Sequence, residues 1–187
     1  MHPSNDLRIA FLGQMRAGKD TAAEMCIARY GGEIMKFAQP LYDIQDYIYR
    51  RTHQPQGKKD RLLLQWLGTE WGRTINPDLW VSILTEDLKT KTGNLYITDC
   101  RFKNEVQALR DNGFKLFRVE RPDEERIKAG ASLMTHASER DLDDFDDYDA
   151  VLNNSTDYWD LDAQIVEEVH QNYNLTPINR LYDSLIP

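Results

Sequence analysis

Apolar and polar positions alternate along the chain in blocks that predict strands and helices in turn. The apolar run at 7–12 is typical of a buried strand, and the next block, 22–29, has the pattern of a helix. The same order recurs, with further strands predicted at 33–37, 94–98, 115–120 and 149–152 and further helices at 40–51, 102–112 and 161–170. Strands that alternate with helices predict an α/β fold, a parallel five-stranded sheet flanked by helices.

The stretch between the second and third predicted strands is helical. Asp60 is placed to cap one helix, whose apolar residues fall on neighbouring faces: Leu63, Trp66, Leu67 and Trp71. The residues Asn76-Pro77-Asp78 have the order of an N-cap, a first-position proline and a first-turn acid, and they predict a helix start. On a regular α-helix Gln65 and Thr69 share a face. By contrast, 122–145 contains no convincing strand, and the tail from Asn174 has no clear assignment.

The composition is that of an ordinary globular chain. With 187 residues, 41% of them hydrophobic and 29% charged, one domain with a full core is expected. No apolar stretch approaches the ~20 residues of a membrane span, and residues 1–6 lack the features of a signal peptide. The two cysteines, Cys26 and Cys100, are expected to be reduced packing residues. This combination predicts a cytoplasmic protein that does not bind membranes.

The charge is negative and uneven. A net charge of −8 argues against a nucleic-acid polymer as the main partner. Residues 139–149 carry seven acidic side chains and one arginine, so the rest of the chain is nearly balanced. We expect this acidic run to be a solvated face or a mobile segment.

The clearest sign of chemistry is the loop between the first strand and the helix after it. It reads Gly13-Gln14-Met15-Arg16-Ala17-Gly18-Lys19-Asp20-Thr21. A glycine, four residues and then Gly-Lys between a strand and a helix is the phosphate-binding P-loop, in which Lys19 would reach the β- and γ-phosphates. The usual Ser or Thr after the lysine is replaced by Asp20. Magnesium would then be held through water or by Thr21, and the sequence leaves both open.

A second acidic position follows the third predicted strand. Asp99 stands at its carboxyl end, where ligands bind in open α/β sheets. A carboxylate beside a P-loop can hold Mg²⁺ or accept a proton, and the alternative is a cap for the following helix. Arg101 can clamp a phosphate with its planar fork, or it can pair with Glu105 four residues later.

Basic residues surround the segment that lacks a predicted strand: Arg118, Arg121, Arg126, Lys128 and Arg140. Positive charges on a loop beside a phosphate site can close over a transferring group, and a plain surface loop is the alternative for any one of them. His136 stands near Ser138 and Glu139, but no nucleophile-elbow context supports hydrolase chemistry. The cysteine and histidine pattern does not indicate zinc either.

The spaced set of motifs resembles the bacteriophage deoxynucleoside monophosphate kinases over roughly residues 7–170. It begins with the P-loop, including its Gly-Lys-Asp-Thr end. It continues with Lys36-Phe37-Ala38-Gln39-Pro40-Leu41, Leu64-Gln65-Trp66-Leu67-Gly68-Thr69-Glu70, Gly72-Arg73, Asn76-Pro77-Asp78-Leu79-Trp80-Val81, Asp99-Cys100-Arg101-Phe102-Lys103-Asn104-Glu105, His136-Ala137-Ser138-Glu139 and Leu152-Asn153-Asn154.

The resemblance implies a P-loop kinase domain with a core at 7–36, 94–121 and 149–173. It also implies a helical monophosphate-binding region at 37–93, a lid at 122–148 and a tail at 174–187. The implied reaction transfers the γ-phosphate of ATP, with Mg²⁺, to a deoxynucleoside 5′-monophosphate for phage DNA precursor supply. A homodimer is left open.

The resemblance also implies roles for individual residues. The ATP phosphates and magnesium would be bound by Gly13, Arg16, Ala17, Gly18, Lys19, Asp20 and Thr21. Asp99 would organise the metal and the acceptor, and Arg73 and Arg101 would hold the acceptor phosphate. Phe37, Gln65, Glu70 and Trp80 would shape the acceptor pocket. Asn154 stands where related kinases contact adenine, and the lid candidates are Arg121, Arg126 and Arg140.

Two other functions stay open at this point. One is a small-metabolite kinase of the same fold, such as a dephospho-coenzyme A or phosphomevalonate kinase, which shares the P-loop and the Asp-x-Arg region. The segments 65–73 and 76–81 favour the nucleotide kinase. The other is a nucleotide switch without transfer activity. The sequence Asn153-Asn154-Ser155-Thr156 differs from the guanine-reading motif of such switches, Asn-Lys-x-Asp.

Overall fold

The computed structural model describes residues 6–55, 57–131, 141–155 and 157–176. The chain forms two compact units, one made of the residues up to 35 and from 92 onward, the other of Lys36–Lys91. Within the described ranges no helix has both the length and the apolar character to span a membrane.

The first unit is built on a parallel sheet. Its strands are β1 (Arg8–Leu12), β2 (Glu33–Met35), β3 (Leu95–Ile97), β4 (Lys115–Glu120) and β5 (Ala150–Asn153). Their order is β2-β3-β1-β4-β5, and every neighbouring pair is parallel. The predicted five-stranded α/β sheet is therefore confirmed. The second strand is shorter than expected, because it ends at Met35 rather than Phe37.

The helices account for most of the remaining described residues. They are α1 (Lys19–Tyr30), α2 (Gln39–Arg51), α3 (Arg61–Gln65), a π-helix (Trp66–Trp71), α4 (Gly72–Ile75), α5 (Leu79–Leu88), α6 (Lys103–Asp111), α7 (Asp123–Lys128) and α8 (Tyr158–Tyr173). The short helix α7 was not predicted. Ile127 is its one large apolar residue and is half exposed, so α7 has no apolar face to detect.

The central strands are apolar on both faces, as parallel strands covered by helices are. The rings of Phe11 and Phe117 meet edge to face with centroids 6.0 Å apart. Helices α1 and α8 pack on this core through a shared apolar surface: Ala22, Ala23, Met25, Cys26, Leu161, Ile165 and Val169. A buried ion pair between Arg29 of α1 and Asp162 of α8 joins the two helices through two hydrogen bonds. The helix that carries Lys19 is thus fixed to α8.

The second unit has its own small core of Leu41, Leu67 and Trp80. The Trp80 indole N–H donates to the carbonyl oxygen of Gly68 over 2.8 Å. As predicted, Asp60 caps a helix, and its carboxylate accepts from the backbone N–H of Leu63 over 3.0 Å.

Two local predictions in this unit were wrong. Helix α5 begins at Leu79 rather than at the proline. Asn76 is extended, and its Oδ1 accepts from the N–H of Asp78 over 3.0 Å, which closes a turn before the helix. The π-helix also changes the spacing of faces. The side chain that lies beside Gln65 is Glu70, five residues on, and the two side chains are 3.5 Å apart, whereas an α-helix would favour Thr69.

Candidate active site

The P-loop owes its shape to backbone conformations that favour glycine. Gly13, Arg16 and Gly18 have φ angles of 133°, 65° and 107°. A Cβ at Gly13 would overlap the carbonyl oxygen of Val119 in β4, so the loop lies directly against the neighbouring strand. Ala17 is buried and donates its N–H to the Gln14 carbonyl over 3.2 Å, which closes the turn.

Lys19 is the first residue of α1, and its ammonium group turns back onto the loop. Nζ donates to the carbonyl oxygens of Gly13 and Gln14 over 2.8 and 2.9 Å. Burial and the nearby Arg101 lower the pKa of Lys19 to about 8, although the carboxylates of Asp20 and Asp99 oppose the shift. The side chain still carries its proton at neutral pH, which suits an anionic ligand.

The two predicted metal-binding side chains of the loop lie in the first turn of α1, and both are exposed. Asp20 accepts a 2.6 Å hydrogen bond at Oδ1 from the hydroxyl of Thr98, a buried residue just past β3. This bond orients the carboxylate that stands in place of the usual hydroxyl. Thr21 follows it on the helix.

Asp99 and Arg101 follow β3, between the sheet and α6. Glu105 supplies the acid that caps α6, since its Oε2 accepts from the backbone N–H groups of Arg101 and Phe102 over 2.7 and 3.1 Å. The N-cap position itself is Phe102. Glu105 is buried and engages the backbone of Arg101, and the roles of Asp99 and Arg101 toward a ligand stay predictions.

Arg126 reaches the P-loop from α7. It is 9% exposed; Nη1 donates to the carbonyl oxygen of Met15 over 3.2 Å and Nη2 to Asp123 over 2.7 Å. Its buried Nε has no hydrogen-bond partner among the described residues. Arg126 also lowers the pKa of Lys19 through its charge. Of the lid candidates, this one lies beside the phosphate loop.

Lys19, Asp99, Arg101 and Arg126 line one cavity of about 480 Å³ in the first unit. Its charged lining consists of Lys19, Asp99, Arg101, Arg118, Glu120, Arg121, Asp123, Arg126 and Asp143. The lysine and the four arginines outnumber the four acids, and the P-loop backbone of Gly13 and Gln14 adds to the lining. The lining of the cavity therefore carries a small excess of positive charge.

Two further arginines of the cavity are held by nearby acids. Arg121 donates from Nε to Glu125 over 3.1 Å, along the start of α7. Arg118 pairs with Glu120 over 2.8 Å, and its guanidinium lies 5.3 Å from the ring centre of Tyr148. Sequence reasoning missed Tyr148 and Glu120, because neither belongs to a recognised motif.

The described part of the acidic run, 141–149, is exposed for the most part but is anchored. Lys103 of α6 donates from its backbone N–H to Asp141 and from Nζ to Asp144, both over 2.8 Å. Arg110 and Lys115 bind Asp149. Of the two alternatives, the solvated face fits these surface acids, several of which are tied to α6 and β4 through basic side chains.

Asn154 contacts the P-loop. Its Nδ2 donates to the carbonyl oxygen of Ala17 over 2.7 Å. A Cβ at Gly18 would overlap this same amide nitrogen. An adenine contact by Asn154 stays a prediction.

The candidate acceptor residues other than Arg101 belong to the second unit. Phe37 and Trp80 are buried, and Trp80 is part of that unit's core. Arg73, at the second position of α4, donates from Nη1 to the carbonyl oxygen of Pro77 over 3.0 Å. Gln65 and Glu70 face each other across the π-helix. Their roles toward a substrate stay predictions.

Arg140 and the segment His136-Ala137-Ser138-Glu139 lie outside the described residues, as does part of the predicted lid. Both cysteines are buried, as predicted, and are not joined in a disulfide.

A magnesium ion fits the side chains that the cavity offers. In the described ranges no group of three or more His, Cys, Asp or Glu residues is placed to bind a metal by itself. Mg²⁺ does not need such a cage, since it is held by one or two carboxylates together with water and substrate phosphates. Asp99 lines the cavity, Asp20 is the second residue of α1, and the charges of both act on Lys19, so these two carboxylates would be the ones to hold the ion.

Comparison with known proteins gives relatives among large DNA viruses. No protein-family model matches the chain. It is 33% identical over 153 residues to "Uncharacterized protein ORF77" of Ictalurid herpesvirus 1 and 31% identical over 164 residues to "Uncharacterized protein ORF76" of the same virus. These alignments take in 79% and 85% of this chain, which spans 64% and 65% of the two relatives.

A third relative matches over nearly its whole length. It is "Putative deoxynucleotide monophosphate kinase" of Acanthamoeba polyphaga mimivirus, 30% identical over 186 residues, covering 84% of this chain and 93% of that protein.

Solved structures with the same fold have far less similar sequences. A gluconokinase from Sinorhizobium meliloti 1021 aligns with a TM-score of 0.56 at 13% identity, over 96% of this chain and 97% of that one. Shikimate kinase from Bacteroides thetaiotaomicron aligns with a TM-score of 0.55 at 16% identity, over 90% and 99%. The chain therefore has a nucleoside-monophosphate-kinase-like P-loop fold and belongs to the family of the mimivirus deoxynucleotide monophosphate kinase homologue.

Proposed function

We propose that the protein transfers the γ-phosphoryl group of ATP to a deoxynucleoside 5′-monophosphate, giving ADP and the diphosphate. One observation carries the proposal. The P-loop, its lysine, two arginines and the Asp99 carboxylate line a single cavity at the carboxyl ends of the strands. The mimivirus relative supports the choice of acceptor.

The first unit supplies what phosphoryl transfer asks of a protein, which is alignment and positive charge. Lys19 is protonated at neutral pH, because its pKa is about 8. Arg126, buried against the P-loop, adds a planar cation whose position is set by Met15 and Asp123. Arg101 lies on the same cavity. Together these groups stabilise the charge on the transferred phosphoryl oxygens.

The acceptor is a phosphate oxygen that is already anionic near neutral pH, so a strong general base is not required. Asp20 and Asp99 hold Mg²⁺ in this proposal, and the ion neutralises charge on the β- and γ-phosphates. The hydrogen bond from Thr98 to Asp20 keeps one of these carboxylates in place.

The deciding experiment is an acceptor panel with ATP and Mg²⁺. ADP release is measured with dTMP, dGMP, dCMP, dAMP and dUMP, and with dephospho-coenzyme A and a phosphomevalonate as competing candidates. We expect ADP release that depends on at least one deoxynucleotide. Transfer to a metabolite alone would replace the nucleotide kinase with a small-metabolite kinase. ATP binding without acceptor-dependent turnover would indicate a switch.

Arg73 tests the acceptor assignment in the second unit. Substitution Arg73→Ala should raise KM for the monophosphate by about tenfold or more, since a lost charge-assisted hydrogen bond costs about 1.5 kcal/mol or more in binding. KM for ATP should stay close to wild type. A change confined to KM for ATP would contradict the assignment, and steady-state kinetics with each substrate varied in turn separates the two results.

A further inference from the structure

A side-chain amide forms two hydrogen bonds with the backbone at the end of β5. Gln164 of α8 accepts from the backbone N–H of Asn153 at Oε1 over 2.8 Å and donates from Nε2 to the carbonyl oxygen of the same residue over 3.0 Å. Because β5 is at the edge of the sheet, no strand among the described residues pairs with its outer backbone groups. The amide supplies both the donor and the acceptor that such a strand would provide.

The next residue carries this restraint to the P-loop. The backbone N–H of Asn154 donates to the carbonyl oxygen of Glu120 in β4 over 2.7 Å, so the end of β5 is held from both sides. The side chain then donates to Ala17 and lies against Gly18 so closely that no Cβ fits there. Its amide nitrogen therefore meets the loop just before Lys19.

The helix that carries Gln164 is itself fixed to the helix after the P-loop. The buried pair between Arg29 and Asp162 joins α1 to α8, two residues before Gln164. The contacts form a closed ring that runs from the P-loop through α1, α8 and the end of β5 back to the P-loop. A ring closed by packing, by the buried Arg29–Asp162 pair and by the amide hydrogen bonds of Gln164 and Asn154 favours one loop conformation, which reduces the ordering cost of binding a ligand.

We propose that Gln164 and Asn154 form a positioning relay that fixes the P-loop for the polyphosphate of ATP. The inference rests on the proposed function for the identity of the ligand. Both side chains act through another group, since neither has to touch the phosphates. Each amide is used in a way that a carboxylate of the same size cannot reproduce, because a carboxylate does not donate.

The experiment compares two relay variants with a matched control on the same helix. Asn154→Leu removes the donor to Ala17 with little change in size, and Gln164→Glu removes the donor to Asn153. The control is Gln171→Glu, because Gln171 donates from Nε2 to Glu167, one turn away, and takes no part in the relay. ATP affinity is measured by titration calorimetry, and amide hydrogen exchange is followed for residues 13–19 by mass spectrometry.

We expect Kd for ATP to rise about tenfold in Asn154→Leu, which loses the bond to Ala17, and about threefold to tenfold in Gln164→Glu, whose Nε2 donates to the carbonyl oxygens of Asn153 and Asp160. Exchange in residues 13–19 should be faster in both, with Gln171→Glu unchanged. The double variant should lose less than the sum of the single effects, because both substitutions break one chain of contacts. KM for the monophosphate should stay within about twofold of wild type in turnover assays.

The relay is overturned if amide exchange in residues 13–19 is unchanged in folded Asn154→Leu and Gln164→Glu. It is also overturned if these variants lose no more ATP affinity than Gln171→Glu does. Strictly additive effects also overturn it. If Asn154→Leu fails to fold, the Gln164→Glu comparison with its control still decides. Failure of the proposed function is distinguishable, since a wild-type protein that binds no ATP would refute phosphoryl transfer while the exchange data still test the relay.

Discussion

The P-loop and the acidic segment 141–149 both line the cavity, yet they are held in place by different forces. The loop is fixed by close backbone approach, with Gly13 against Val119 and Ala17 bonded to Asn154. The acidic segment is fixed by side-chain charges, with Lys103 on Asp144 and Arg110 on Asp149. Steric restraints do not depend on salt or pH, whereas exposed ion pairs are screened. The conformation of the P-loop should therefore respond less to salt and pH than that of segment 141–149.

The largest effect is expected at the loop lysine. Lys19→Ala should lower kcat by at least ~10²-fold, a barrier increase of roughly 2.7 kcal/mol, because the ammonium stabilises charge that develops during transfer. Rapid-quench or coupled kinetics at saturating substrates measures this loss. A variant that melts like wild type and turns over at a near-normal rate would remove Lys19 from the mechanism.

The steric restraint is tested by paired glycine substitutions. Gly13→Ala should destabilise the fold by about 2 kcal/mol or more, since the added methyl meets the Val119 carbonyl and φ is 133°. Gly113→Ala is the control for a positive φ in open space, because no atom lies within 4 Å of the added Cβ and its φ of 78° is closer to the left-handed region that other residues enter at a smaller cost. Urea unfolding gives both values. Equal losses would mean that the approach to β4 contributes nothing beyond backbone strain.

The lowered pKa of Lys19 gives a pH-dependent affinity with a definite sign. The free side chain loses its proton as pH rises through about 8, and a bound polyphosphate restores it. ATP affinity should therefore fall by up to about tenfold per pH unit above 8, and binding at pH 9 should take up close to one proton. Calorimetry in two buffers of different ionisation enthalpy gives the number of protons taken up on binding. Proton uptake that persists in Lys19→Ala would assign it to another group.

The smallest effects are expected in the acidic segment, and they should differ within it. Burial opposes the charge of Asp149, but hydrogen bonds from Leu116, Lys115 and Arg110 outweigh burial and lower its pKa. Asp149→Asn should therefore destabilise the protein by about 1 kcal/mol at pH 7, and the difference should shrink as pH falls through that lowered pKa. Lys103→Met breaks an exposed pair and should cost less, with no measurable cost in 1 M NaCl. Thermal melts at low and high salt compare the two variants.

The sequence predicted the fold where local patterns and buried structure agree. The strand β4 was located to the residue, and β1 and α1 were placed with the P-loop between them. Parallel strands buried on both faces are apolar throughout, so hydrophobic runs identify them. The capping role of Asp60 was also predicted correctly, because a helix cap depends on residues that are close in the sequence.

Other features depend on contacts that no local pattern records. Arg126 is buried because it meets Met15, 111 residues away, and Asn154 contacts Ala17 across 137 residues. The helix α7 lacks an apolar face, and the π-helix shifts Glu70 to where a regular spacing would place Thr69. Arg126 was singled out for its charge alone. Its burial became apparent only from the coordinates.

The central position of β1 has a consequence for synthesis. Arg8 pairs with Leu95 and Ile9 with Lys115, so the first strand waits for partners made roughly 90 and 105 residues later. At ribosomal speeds of about 5–20 residues per second, that delay is roughly 5 to 20 seconds. During this delay the apolar β1 segment is exposed without its partner strands, because its pairing is between residues far apart in the sequence and is slow. Nascent chains of this protein should therefore need chaperone protection until the fourth strand has left the exit tunnel.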